Sequence, residues 1–126
     1  MDKLDNFYRN ITFSEKYDEK SFIYEWINNG IWCDEEYWKL EASLNHLKTQ
    51  YPYPNDIPRE ICLGIVRIME LMMVPNWLDF EIQPSVNHPA NTDATIYERF
   101  ERLKFVCRSI FSGETCELFD YYPIES

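Results

Sequence analysis

The side chains of this sequence that could do chemistry are chiefly carboxylates. They occur in close pairs, as in Glu35 with Glu36 and Asp79 with Glu81. Such a pair can divide general-acid and general-base work when one carboxyl is desolvated and the other stays charged. With 22 Asp and Glu residues in the chain, however, neighbouring acids are expected from composition alone. We interpret Glu35, Glu36 and Glu41 as a solvated helix face, with an enzyme that uses a carboxylate pair as the alternative.

No other catalytic arrangement can be written from the sequence. A nucleophilic Ser or Cys needs a histidine as its base, but His46 adjoins a leucine stripe and His88 lies in a proline-rich stretch. The four cysteines form no C-x-x-C pair, so there is no zinc pattern. The three glycines are too scattered for a phosphate-binding loop. We therefore predict that the protein is not an enzyme and has no catalytic residue, cofactor or metal site.

The charge balance indicates the kind of partner. The net charge is -10, from 22 acids and 12 bases. Such a chain repels phosphate backbones and anionic lipid surfaces, whereas it attracts a basic protein and speeds its association. The alternative explanation is that the acidic residues only keep the protein soluble and have no role in binding. We predict a protein partner, with no direct contact to nucleic acid or membrane.

The cellular compartment is predicted from what the chain lacks. The first residues, MDKLDNFYRN, contain no apolar stretch of the secretory type, and the longest apolar run is LMMV. We expect a cytoplasmic protein in which four thiols are free, namely Cys33, Cys62, Cys107 and Cys116. The oligomeric state is left open, with a monomer favoured.

Apolar spacing predicts the elements that must position these residues: an all-α bundle of four to five helices that forms one domain over residues 1–126. The first helix is predicted within 14–29, with a capping box from Thr12 to Glu15 and a stop at the sequence NNG. The second is predicted to be capped by Asp34, and its inner face should hold Tyr37, Leu40, Leu44, Leu47 and Tyr51.

The second half of the chain should supply two more helices. One starts near Asp56 with Pro58 in its first turn, and we predict that it is the most buried element. Residues 75–92 are irregular and fit a short helix, a strand or an ordered loop. The last helix is predicted over 95–112, with a capping box from Thr95 and an inner face formed by Ile96, Phe100, Leu103, Cys107 and Ile110.

Aromatic residues among acids suggest a binding surface, because Trp and Tyr dominate protein–protein hot spots. Trp38 lies off the stripe of its helix, so it either packs on a neighbouring helix or is exposed as an anchor. We predict two partner-binding patches. The first consists of Trp32, Asp34, Glu35, Glu36, Trp38 and Glu41. The second consists of Asp79, Glu81, Asp120, Tyr121 and Tyr122.

Three segments carry a resemblance: FIYEWINNGIWCDEEYWKLEASLNHL, YPYPNDIPREICLGIVRIMELMMVPNWLDFEI and IYERFERLKFVCRSIFSGE. Together they resemble the immunity proteins of bacterial polymorphic toxin systems, and more narrowly those paired with contact-dependent growth inhibition toxins. The resemblance implies a protein that binds the toxic domain of an effector, often a basic nuclease, and covers or adjoins its active site. It implies no catalytic residues.

A second binding function is consistent with the acidity. An acidic regulator or nucleic-acid mimic would occupy the groove of a DNA-binding protein, and it would need carboxylates in a row at phosphate-like spacing. The acids of this chain are instead dispersed along its whole length, which favours the immunity protein.

Overall fold

The fold is mainly helical, as predicted, with a small sheet added. The computed structural model describes residues 3–85, 94–115 and 121. Its elements are α1 Asp5–Tyr8, α2 Phe22–Asn29, β1 Ile31–Cys33, α3 Asp34–Gln50, α4 Arg59–Met72, a 3₁₀ turn Trp77–Asp79, β2 Glu81–Gln83 and α5 Ile96–Ser112. The five helices agree with the predicted four to five.

The two strands join distant parts of the chain. β1 and β2 pair in parallel with Trp32 opposite Ile82, and the Glu81 N–H donates to the Gly30 carbonyl at 3.0 Å. Gly30 ends α2 in the left-handed region at φ 64°, which a residue without a Cβ adopts at no steric cost. The irregular segment therefore contains both a short helical turn and a strand, while residues 86–93 lie outside the described part.

The start of the first predicted helix was wrong. Helix α2 begins at Phe22, and the hydroxyl of Ser21 accepts the capping hydrogen bond from the Tyr24 N–H at 3.2 Å. The hydroxyl of Thr12 instead accepts from Arg67 Nε at 2.9 Å. No helix begins at Thr12, and residues 14–20 run through turns and bends instead.

The short helix α1 was not predicted, and it closes one side of the core. Phe7 and Ile11 are buried and lie over Gly64 of α4. A Cβ on Gly64 would come within 2.6 Å of Ile11 Cδ1 and 2.9 Å of Phe7 Cζ. The glycine thus permits the close approach of the N-terminal segment to α4.

Helices α3 and α5 are both more buried than α4, so the prediction that α4 is the most buried element was wrong. Helix α3 contacts α1, α2, β1 and α5, and Tyr37, Leu40, Leu44 and Leu47 on its inner face have no exposed surface. Helix α4 buries the predicted stripe of Ile61, Ile65, Ile68 and Met72. Its Leu63 and Val66 are each 53% exposed, so α4 is an amphipathic helix at the edge of the core.

The last helix agrees with its prediction at both ends. Thr95 and Glu98 form the reciprocal capping box, and Gly113 follows α5 in the left-handed region at φ 73°. The predicted inner face is buried, namely Ile96, Phe100, Leu103, Cys107 and Ile110. Helices α3 and α5 pack directly on each other, and their interface contains the charged residues described next.

Candidate functional site

Charged side chains of opposite sign meet in pairs between α3 and α5. Arg99 donates from Nε to Asp34 Oδ1 and from Nη2 to Asp34 Oδ2, both at 3.1 Å. Arg102 holds Glu41 in the same way at 2.7 and 3.1 Å. Asp34 and Arg99 are 1% and 0% exposed, so the first pair is fully removed from water.

Tyr121 connects both pairs to the end of the chain. Its hydroxyl donates to Asp34 Oδ1 at 2.6 Å and accepts from Trp32 Nε1 at 3.3 Å. Its carbonyl accepts from Arg102 Nη1 at 3.1 Å, and its ring centroid lies 4.6 Å from the Arg99 guanidinium. We call Asp34, Glu41, Arg99, Arg102 and Tyr121 the α3–α5 polar cluster.

The α3–α5 polar cluster has the chemistry of a structural network. Each carboxylate is held by a bidentate arginine, a geometry that satisfies both partners, and both carboxylates are buried. Burial raises the pKa of Tyr121, and the adjacent Asp34 carboxylate raises it further. The tyrosine is therefore a neutral hydrogen-bond donor at physiological pH. A substrate would have to displace an arginine to reach either acid.

Two of the described cysteine thiols, Cys33 and Cys107, likewise show no activation. Burial raises the pKa of the Cys107 thiol to about 12, with a smaller contribution from Glu41. Burial also raises the pKa of Cys33. Protonated thiols are poor nucleophiles and poor metal ligands. Cys33, Cys62 and Cys107 are free, while Cys116 lies outside the described residues.

The described residues contain no group of three or more His, Cys, Asp or Glu side chains that could hold a metal ion. None of their helices is long and apolar enough to cross a membrane.

The structure separates the two predicted binding patches into buried and exposed residues. Five members are buried, namely Trp32, Asp34, Trp38, Glu41 and Tyr121. These five side chains therefore offer little or no surface to a partner in this fold, and their role in binding stays a prediction. Asp34 also makes no cap on α3, because its carboxylate is held by Arg99.

The remaining members differ in their surroundings. Glu35 and Glu36 are half-buried, and Glu36 pairs with Arg9 at 3.1 Å and Lys39 at 2.9 Å. Asp79 and Glu81 are exposed, and their role in binding stays a prediction. Asp120 and Tyr122 lie outside the described residues.

An apolar groove beside Asp79 was missed in the sequence. It lies between the end of α4, the 3₁₀ turn and the first half of α5, and its volume is about 430 Å³. We call it the α4–α5 groove; its lining residues are Met69, Met73, Val74, Pro75, Trp77, Phe100 and Lys104. The sequence signal was the cluster of Met73, Val74 and Trp77 just after α4, which has no regular period.

Removal of the Tyr121 hydroxyl tests the structural role of the cluster. We expect Tyr121→Phe to lower the free energy of unfolding by about 1–3 kcal/mol, because Asp34 loses a buried donor and Trp32 Nε1 a buried acceptor. Urea unfolding followed by circular dichroism measures the change. Tyr53, which is 64% exposed, supplies the control: Tyr53→Phe should stay within about 0.5 kcal/mol. Equal effects of the two variants would contradict the structural role.

The described residues thus form a mainly helical fold in which buried ion pairs join α3 to α5. The family model of Immunity protein 41 matches residues 9–122. The chain belongs to that family, which confirms the resemblance to immunity proteins of polymorphic toxin systems. The family suggests neutralisation of a toxin and is typically non-enzymatic. No curated protein matches the chain, and no solved structure does.

Proposed function

We propose that the chain binds a cognate toxin domain of net positive charge and covers its active or substrate-binding site. The observation that carries this proposal is a set of exposed carboxylates that form no ion pair within the described residues. Among the described residues, eight of the twelve basic side chains form ion pairs, namely Arg9, Lys16, Lys39, Arg67, Arg99, Arg102, Lys104 and Arg108.

Several exposed acids are left without a base. Within the described residues, six exposed carboxylates form no ion pair, namely Glu15, Glu19, Asp56, Glu60, Asp79 and Glu81. Their field accelerates the approach of a positively charged partner and disfavours a negatively charged one. The surface therefore supports a basic partner independently of the family match.

A nuclease is the toxin class that fits this charge best. An enzyme that cuts nucleic acid must bind a phosphate backbone, and it does so with Lys and Arg. An acidic inhibitor that covers those residues competes directly with the substrate. We place this encounter in the cytoplasm and assign the toxin to contact-dependent growth inhibition.

The salt dependence of association tests the electrostatic part of this proposal. The association rate with the cognate toxin domain should fall about tenfold or more as NaCl rises from roughly 0.05 to 0.5 M, because screening shortens the range of exposed charges. Stopped-flow tryptophan fluorescence measures it. The dissociation rate should change much less, since steering acts before contact. An association rate that does not depend on salt would contradict charge attraction and leave steric neutralisation intact.

A further inference from the structure

The α4–α5 groove is bordered by apolar side chains that the fold leaves open to solvent. Met73 is 69% exposed, Leu78 is 65% exposed and Tyr97 is 54% exposed. Met73 lines the groove, the Tyr97 ring stacks on the lining residue Trp77 with ring centroids 6.4 Å apart, and Leu78 adjoins Trp77 in the chain. Scattered exposed apolar residues are ordinary, whereas several together mark a site of interaction. Met, Trp and Tyr are also the residue types enriched at protein interfaces.

The base of the groove is held rigid. Trp77 packs on Phe100 with ring centroids 5.1 Å apart, and Phe100 is 6% exposed and belongs to the core of the domain. A rigid aromatic floor loses little conformational entropy when a partner covers it, which favours tight binding.

The charge beside the groove is negative. Asp79 and Glu81 lie two and four residues after Trp77 in the chain, are exposed, and form no ion pair within the described part of the chain. The one base that lines the groove, Lys104, is paired with Glu101 at 2.6 Å and lies 5.2 Å from the Phe100 ring centroid. Its charge is therefore compensated, and the two acids set the sign of the local field.

We propose that the α4–α5 groove is the docking site for the toxin domain. An apolar side chain of the toxin enters the groove, while lysine or arginine residues beside it pair with Asp79 and Glu81. This inference rests on the proposed function and names the surface that carries it out. A second copy of the chain is disfavoured because each copy has a net charge of -10. A small ligand is disfavoured because the described residues that line the groove include no converging uncompensated polar side chains.

A matched pair of variants, one just after α4 and one within it, tests the apolar half of the inference. Met73→Gln removes an exposed apolar side chain from the groove, and Leu63→Gln removes one that is 53% exposed on the outer face of α4. The probe is the toxin domain co-expressed from the native operon, and calorimetry measures its dissociation constant. We expect Met73→Gln to raise the constant about tenfold or more, as truncation of an anchor does, and Leu63→Gln to leave it within about twofold.

A second matched pair tests the acids. Asp79→Asn with Glu81→Gln removes the same charge as Asp56→Asn with Glu60→Gln, and the second pair lies at the opposite end of α4, about 20 Å away by helix rise. All four acids are exposed. The first double variant should slow association several-fold more than the second, since local charge steers the approach to a specific surface.

The outcomes separate this inference from the proposed function. Unchanged binding of Met73→Gln, with tight binding of the wild type, overturns the groove and leaves neutralisation of the toxin standing. Failure of the wild type to bind the toxin domain overturns both. A free chain that is dimeric by sedimentation, and that Met73→Gln makes monomeric, overturns the inference by assigning the groove to a second copy.

Discussion

Asp34→Ala is expected to lower the free energy of unfolding by about 3–5 kcal/mol. Removing the carboxylate leaves the fully buried Arg99 without its counter-ion, and an uncompensated charge in the interior is among the most destabilising defects in a protein. The Tyr121 hydroxyl also loses its acceptor. Urea unfolding followed by tryptophan fluorescence measures the loss.

Two further variants show whether burial of the charge is the cause. Glu101→Ala removes an acid from the exposed ion pair with Lys104, and it should cost less than about 1 kcal/mol. Asp34→Leu combined with Arg99→Met removes both charges at once and should recover much of the stability lost in Asp34→Ala. Equal losses for Asp34→Ala and Glu101→Ala would show that the Asp34–Arg99 pair is not buried as described.

Trp38→Ala is expected to destabilise the free protein by about 3–5 kcal/mol, the usual cost of removing a core aromatic. The indole is 8% exposed, stacks on the Tyr121 ring at 4.7 Å, and lies 5.2 Å from the Arg102 guanidinium. Its Nε1 has no hydrogen-bond partner within the described residues, so the expected loss comes from packing. Calorimetric melting of the free chain measures it.

The same variant decides between the two interpretations of Trp38. A core residue should leave the rate of dissociation from the toxin nearly unchanged once the variant is folded, whereas an exposed anchor would raise that rate strongly. Phe13, which is 62% exposed, gives a control in which Phe13→Ala changes stability by less than about 0.5 kcal/mol. Normal stability with fast dissociation of Trp38→Ala would contradict the burial of Trp38.

The helices whose signals are local could be predicted from the sequence. The stripe of Tyr37, Leu40, Leu44 and Leu47 has the spacing of one helix face, and the Thr95 capping box lies within four residues. The start of α2 could not be predicted in this way. Thr12 offered an equally good local cap, but its hydroxyl accepts a hydrogen bond from Arg67. The residues around Thr12 do not reveal a partner that lies 55 residues away in the chain.

The burial of part of the predicted site could not be seen from the sequence for the same reason. Aromatic residues next to Asp34 and Glu41 have the composition of a surface, yet both acids are neutralised by arginines 65 and 61 residues further along the chain. One signal was available: Arg99 adjoins Phe100 on the inner side of α5. An arginine at a buried position needs an acidic partner, and Asp34 on another helix supplies it.

Titration of the toxin with the chain tests the central claim most directly. The cognate toxin domain should lose its activity in proportion to added protein and reach the baseline at equimolar ratio, because one domain covers one site. The Met73→Gln variant should need a larger excess, and Leu63→Gln should follow the wild type. Toxin activity that persists in the presence of a large excess of the folded wild-type chain would contradict the claim that this protein neutralises the toxin by binding it.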